Sequence, residues 1–273
     1  MHKMKNFTYI IIFSLLLTSC GNYQKVLNKG TVQEQYKLAT ELYETKKYGK
    51  ALNLFEKVTP SYRGKPQMER IQFMVAQSNF NTKSYDLAGY YFDRFTQNYP
   101  TSSKKEEAAY LSAYSYMLAS PKFSLDPTDT YKALNAFQGF IDAYPDSKRI
   151  ADANKYYQEI RYKLQKKSFE IAKGYYTTAE FDSRNYKASI VAFDNLLTDF
   201  LGSDFKEEAL YYRLKAAHDL AVKSTDRRKG QRLKDAVKAY EKLKRNFPET
   251  KYSKESDKML ATLEKEQKQL VKS

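Results

Sequence analysis

Ala88-Gly89-Tyr90-Tyr91-Phe92-Asp93-Arg94-Phe95-Thr96-Gln97-Asn98-Tyr99-Pro100 decides the fold. Ala88, Phe92 and Phe95 stand at offsets 0, +4 and +7 and share one face of a helix. The small residue lets a neighbouring helix approach, and the two rings fill the groove beyond it. Pro100, at +12, cannot continue the helix and sets a stop. The same offsets recur as Ala133, Phe137, Phe140 and Pro145, and as Ala236, Tyr240, Leu243 and Pro248. Two looser copies read Ala51, Phe55, Val58, Arg63 and Ser189, Phe193, Leu196, Leu201. An aromatic precedes the Pro position in all of them: Tyr62, Tyr99, Tyr144, Phe200 and Phe247.

Each of these helices follows another with its own small residue, clearest at Ala39, Ala76 and Ala113. The grammar is that of the tetratricopeptide repeat, in which helix pairs stack and bury a continuous core. The anchors at 51, 88, 133, 189 and 236 are separated by 37, 45, 56 and 47 residues, so connections exceed the tight 34-residue period. The expected fold is all-α: a tetratricopeptide-repeat superhelix of about five helix pairs plus a C-terminal capping helix. Predicted helices are 31–46 with 48–59, 66–82 with 84–98, 104–119 with 129–143, 147–182 with 186–199, and 205–223 with 231–246. A polar cap follows at 252–270. An insertion at 120–128 stretches the third pair. The repeat domain covers 31–273, with halves 31–145 and 146–273.

The start of the chain has a different pattern. Lys3 and Lys5 precede the apolar run Tyr9 to Leu17, and Leu17-Thr18-Ser19-Cys20 closes it. This is a secretory leader of the lipoprotein kind, over 1–19, with Cys20 the residue to be lipidated. The apolar run is short for a span of about 20 residues. A lipidated tether is expected over 20–30, holding the domain at a membrane through the lipid on Cys20. Gly21-Asn22 places no aspartate after the cysteine, which by the enterobacterial sorting rule directs the product to the outer membrane.

Composition narrows the function. Cys20 is the only cysteine, so the mature chain is left without a disulfide or thiolate zinc site. Nine glycines include no phosphate-cradling loop. Of the two histidines, His2 belongs to the leader, and His218 stands alone on a helical face. The expectation is a binding protein rather than an enzyme, with no cofactor and no metal. The net charge is +15, or +13 without Lys3 and Lys5, but the lysines interleave with Glu and Asp as on a solvated face. Export argues against nucleic acid. The doublets Tyr90-Tyr91, Tyr156-Tyr157, Tyr175-Tyr176 and Tyr211-Tyr212 are expected to split between helix seam and rim.

The first helices of the pairs would line a concave surface. Counted from Ala39, Ala76 and Ala113, its side chains are Gln33, Tyr36, Thr40, Arg70, Phe73, Gln77, Glu107, Tyr110 and Tyr114. That mix of rings and amides suits an extended peptide with aromatic ends. Replacing Tyr36, Phe73 and Tyr110 with Ser is expected to weaken peptide binding without unfolding the chain.

A lipidated leader followed by five such repeats resembles the BamD family of outer-membrane lipoproteins. Asp93-Arg94-Phe95 with Tyr99-Pro100-Thr101, Tyr144-Pro145-Asp146-Ser147 with Asp152-Ala153, and Ile171 to Thr177 carry the resemblance. Leu201 in place of Pro departs from the family pattern, as does Ile190-Val191-Ala192-Phe193-Asp194, which lacks a partner-contact arginine. The resemblance implies a protein on the periplasmic face of the outer membrane. It would bind a BamA-like barrel protein and unfolded outer-membrane proteins as part of barrel assembly. Arg161, Tyr175 and Tyr176, with the 200–231 region, are the candidates for the barrel-protein contact. The alternative is another lipid-anchored repeat adaptor of the cell envelope, coordinating division or peptidoglycan work.

Overall fold

The computed structural model describes residues 22–271. The leader and Cys20 lie outside the described residues. The described residues form helices, turns and loops, without strands. A short helix α1 occupies 22–29. Five pairs follow: α2 (Val32–Glu44) with α3 (Tyr48–Val58), α4 (Gln67–Asn81) with α5 (Tyr85–Asn98), α6 (Lys105–Ala119) with α7 (Thr128–Ala143), α8 (Ile150–Thr178) with α9 (Arg184–Asp199), and α10 (Lys206–Val222) with α11 (Asp226–Asn246). The cap is α12 (Ser253–Leu270). The segment expected at 147–182 is one continuous helix over its central 29 residues. Helix α11 starts at Asp226 rather than 231, because no proline precedes it and Asp226 suits the positive N-terminal end.

The repeat anchors form the core. Ala51, Ala88, Ala133, Ser189 and Ala236 are all sealed from solvent, as are Phe55, Phe92, Phe137 and Phe193 four residues on. Val58, Phe95, Phe140, Leu196 and Leu243 at +7 are buried too. Each large side chain so covered contributes about 1.5–3 kcal/mol relative to exposure. The stops work as expected. Tyr99, Tyr144 and Phe247 leave the helix at φ between −128° and −139°, the extended bias that a following proline imposes. Phe200 has the same geometry (φ −123°, ψ 70°) without a proline, and Gly202 at φ +75° completes the turn in its place.

Two close approaches carry a buried bond. Ser112 on α6 donates to the Gly89 carbonyl of α5 at 2.9 Å. Ser189, standing where other repeats have alanine, donates to the Ala172 carbonyl of α8 at 2.9 Å. A second set of bonds joins successive pairs. Ser102, Ser147, Ser203 and Thr250 each donate to an acid or amide on an earlier first helix: Glu69 (2.6 Å), Glu106 (2.6 Å), Gln165 (2.8 Å) and Glu207 (2.6 Å). The same hydroxyls accept the backbone N–H two residues on, which starts the next helix.

The chain divides into two compact units. The first holds the described residues up to Pro121 and 127–157; the second holds 122–126 and the rest from Gln158. The insertion is anchored on α8 in the second unit, where Lys167 donates to the Phe123 and Leu125 carbonyls at 3.2 and 2.6 Å.

The tether expected over 20–30 is, in its described part, structured. Tyr23 is 8% exposed, its hydroxyl donates to the Lys50 carbonyl at 3.4 Å, and Leu27 packs on the first repeat's core. Gly30 ends α1 where a Cβ would come within 2.6 Å of the Val26 carbonyl oxygen.

Candidate functional site

Four of the nine predicted groove residues meet in the first unit. Arg70, Phe73 and Gln77 from α4 and Glu107 from α6 line a pocket of about 460 Å³, with Tyr43, Pro66, Glu69, Met74, Phe95 and Lys104. Phe73 is its floor, packed edge-on against Phe92 and Phe95 at 5.8 and 5.3 Å between ring centres. The walls carry both signs of charge. Lys104 lies 5.4 Å over the Phe73 ring and pairs with Glu107 at 2.8 Å, while Arg70 reaches Glu44 at 3.4 Å. The Tyr43 hydroxyl donates to the Gln77 side-chain amide oxygen Oε1. Burial, then the neighbouring Tyr48, raises the Tyr43 phenol above its ordinary pKa, so it remains a donor. An aromatic floor under paired charges accepts a flat apolar side chain and offers donors and acceptors to the backbone beside it.

The other five residues lie elsewhere. Gln33 is exposed. Thr40 turns its hydroxyl back to the Tyr36 carbonyl at 3.0 Å. Tyr36 is half-buried against Tyr62, with ring centres 5.0 Å apart. Tyr110 and Tyr114 stack at 6.1 Å; Tyr110 packs on Phe137 and Phe140, and Tyr114 on Phe80 and Tyr156. Burial first, and then Tyr156, pushes the Tyr110 phenol up to about 12. Serine at Phe73, which is only 9% exposed, or at Tyr110 would therefore remove core packing, against the expectation that these changes weaken peptide binding alone and leave the fold intact. The physical reason is register: Tyr36, Phe73 and Tyr110 stand three residues before Ala39, Ala76 and Ala113 and turn toward the same seam.

The partner candidates of the second unit are largely occupied by internal bonds. The Arg161 guanidinium donates to the Leu201 carbonyl at 2.5 Å and closes the turn after α9. The Tyr176 hydroxyl donates to Asp219 at 2.8 Å, and the other Asp219 oxygen meets His218 Nδ1 at 2.8 Å. Burial raises the Asp219 carboxyl, but the bonds from His218 and Tyr176 outweigh it and hold it below its ordinary value. Tyr175 alone of the three is exposed. Tyrosine doublets split at 211–212, where Tyr211 is buried and Tyr212 half-buried, but Tyr90 and Tyr91 are both exposed, because Ala88, Phe92 and Phe95 fill the inward stripe.

A feature of the second unit that spacing did not reveal is a groove of about 370 Å³ between α9, α10 and α11. Ile190, Val191, Ala217, Leu220 and Ala239 form its floor; Lys187, Arg213, Arg232, Lys238 and Lys242 rim it, with Asp235. Arg213 is fixed by a two-pronged bond to Asp194 at 2.7 and 2.9 Å. The sequence signal is Lys234 to Lys242, whose cations alternate with core alanines, a pattern that also fits a plain solvated face.

No helix among the described residues is long and apolar enough to cross a membrane. A family described as YfiO, outer membrane lipoprotein, matches residues 28–233. No curated protein matches the chain. A solved structure from the computational design of self-assembling cyclic protein homooligomers is 16% identical, covering 98% of this chain and 97% of that one, with a TM-score of 0.22.

Proposed function

This chain belongs to the YfiO family of outer membrane lipoproteins, and from that membership we propose that it is a lipid-anchored scaffold of β-barrel assembly. Cys20 bears the lipid, and the repeats lie on the periplasmic face. The protein holds a BamA-like barrel protein and captures unfolded outer-membrane proteins by binding alone, with no bond chemistry. The observation that carries the capture role is the Phe73-floored pocket: an aromatic side chain of an extended segment fits its floor, while Arg70, Gln77 and Glu107 meet the segment's polar groups. The basic groove along α9 and α11 is the better candidate for the barrel-protein contact, since Arg161 and Tyr176 are engaged in internal bonds.

The test is co-purification from mildly solubilised outer membrane through a C-terminal tag. A barrel protein with periplasmic repeat domains in near-equal amount is the expected partner, and Val191→Asp in the groove should remove it. Division or cell-wall proteins in its place would refute the assembly role and favour an envelope adaptor. For capture, Arg70→Glu and Gln77→Ala should weaken binding of an unfolded barrel peptide ending in an aromatic residue. Unchanged affinity would remove the pocket from the mechanism.

A further inference from the structure

The docking of α1 fixes where the chain enters the first repeat. Tyr23 sits against Lys50 and Asn53, and Lys57 donates to the Leu27 carbonyl at 2.9 Å. Contacts 23 to 50 and 27 to 57 advance together, so α1 runs parallel to α3. Its start therefore lies at the end of α3 that adjoins the α2–α3 turn. Cys20 precedes Tyr23 by three residues, and three residues reach at most about 11 Å. Whatever path they take, a lipid on Cys20 cannot stand far from that turn.

The turn edge is cationic. It carries Lys46, Lys47 and Lys50, and the next pair presents Lys83 at its own α4–α5 turn; the Tyr43–Gln77 bond ties these two pairs together toward that end. None of the four has an ion-pair partner among the described residues, and the Lys50 ammonium lies 5.1 Å over the Tyr23 ring. Nearby acids are mostly engaged, Glu44 by Arg70 and Asp86 by Lys132, which leaves Glu41. Lys46 and Lys83 also hold left-handed backbone, at φ 60° and 63°, where glycine is the easy residue. Both turns thus keep a cation at a conformational cost.

We propose that this edge of the first unit is a membrane-apposed surface, on which Lys46, Lys47, Lys50 and Lys83 meet the phosphates of anionic phospholipids in the leaflet that holds the anchor. It rests on the lipidation of Cys20 proposed above. Because α1 is docked on the first repeat, only three residues separate the lipid on Cys20 from Tyr23, so the lipid holds this edge of the unit near the membrane. A Debye length of about 8 Å is comparable with the reach from Cys20 to Tyr23, so the lysines stay within range of the headgroup charge.

The experiment uses the full mature chain, first checked by mass spectrometry for lipid on Cys20, in phosphatidylethanolamine vesicles with and without phosphatidylglycerol. An introduced cysteine is then the only free thiol. A fluorophore on Thr45→Cys, at the turn edge, should be quenched several-fold more by headgroup-labelled lipid than one on Ser61→Cys, beyond the other end of α3. Phosphatidylglycerol should widen the difference. A Gly-Ser insertion between Gly21 and Asn22, which lengthens the link by about 7 Å, should reduce it. Lys46→Gly and Lys83→Gly remove charge while relieving the backbone, so the fold is not weakened; each should lower the ratio of apposed to lifted chains roughly five-fold. Equal quenching at both positions in a lipid-bearing chain overturns the apposed edge alone. A chain without lipid on Cys20 overturns the anchor and the edge together.

Discussion

Gly89→Ala and Gly139→Ala place the same methyl group in two helices of the same unit and should shift stability in opposite directions. An alanine inside a helix is favoured over glycine by about 1 kcal/mol, which applies to both sites. At Gly139 on α7 an added Cβ meets nothing within 4 Å, so that gain is kept. At Gly89 the Cβ would come within 2.7–2.9 Å of three ring atoms of Tyr116. The α5–α6 spacing there is also held by the Ser112 bond to the Gly89 carbonyl. Overpacking of this kind costs about 1–3 kcal/mol, so it outweighs the propensity gain and leaves a net loss of about 1 kcal/mol. The two variants should therefore differ by about 2 kcal/mol in urea denaturation followed by circular dichroism. Tyr116→Leu shortens the obstructing side chain, and in that background Gly89→Ala should be neutral or stabilising. If Gly89→Ala stabilises the native chain as much as Gly139→Ala, the close approach of α5 and α6 is not the constraint inferred from it.

Three further outcomes are expected. Ser203→Ala strands the buried Gln165 amide and should cost about 1–3 kcal/mol, more than Ser102→Ala, whose partner Glu69 is half-exposed and can turn to water; equal losses in urea denaturation would count against the inter-pair bond. Tyr110 and Tyr116 are pushed up to about 12, by burial foremost and then by Tyr156 and Asp93 respectively, from an ordinary 10. The fold favours the protonated phenol, so their contribution is intact below pH 10 and is lost as pH rises through 12; Tyr110→Phe should flatten that dependence, and tyrosinate absorbance appearing at pH 10 with the helices intact would contradict it. Phe73→Ser should cost about 3–5 kcal/mol in denaturation, whereas Arg70→Glu should leave stability within about 1 kcal/mol, so peptide binding measured on the latter reports on the pocket and not on the core.

Helix positions were legible because their determinants are local. The offsets 0, +4 and +7 and the proline stop lie within one helix and its exit, so α5 and α7 end at 98 and 143 as the spacing requires. What the spacing missed involves distant partners. Ser102, Ser147, Ser203 and Thr250 all stand fourteen residues after their repeat anchors, a regularity visible in the chain. Their partners are 33 to 43 residues away on another helix, and nothing local says that the hydroxyl will reach them. The groove residues were half legible for a related reason. Periodicity tells which residues share an arc of α4, but not where on that arc the neighbouring helix ends and solvent begins. Phe73 falls on the covered side; Arg70 and Gln77 fall on the rim.

The same distinction bears on the second unit. A polar side chain can serve a partner without loss only if binding does not first break a bond inside the protein. Arg161 caps the turn after α9, and Tyr176, Asp219 and His218 form a chain of bonds between α8 and α10, so recruiting either would expose a carbonyl or a carboxylate that is now satisfied. Lys187 and Lys238 have no ion-pair partner among the described residues, and Val191 is 56% exposed on the groove beside them. A partner segment with aliphatic side chains and flanking acids would gain there both the burial of apolar surface and two new ion pairs, with nothing internal to break. Arg213 would act differently: already fixed by Asp194, it presents a preset edge instead of a free charge. Recognition at the groove should therefore depend on shape at Arg213 and on salt at Lys187 and Lys238, a division that a cluster of surface lysines on a solvated face does not produce.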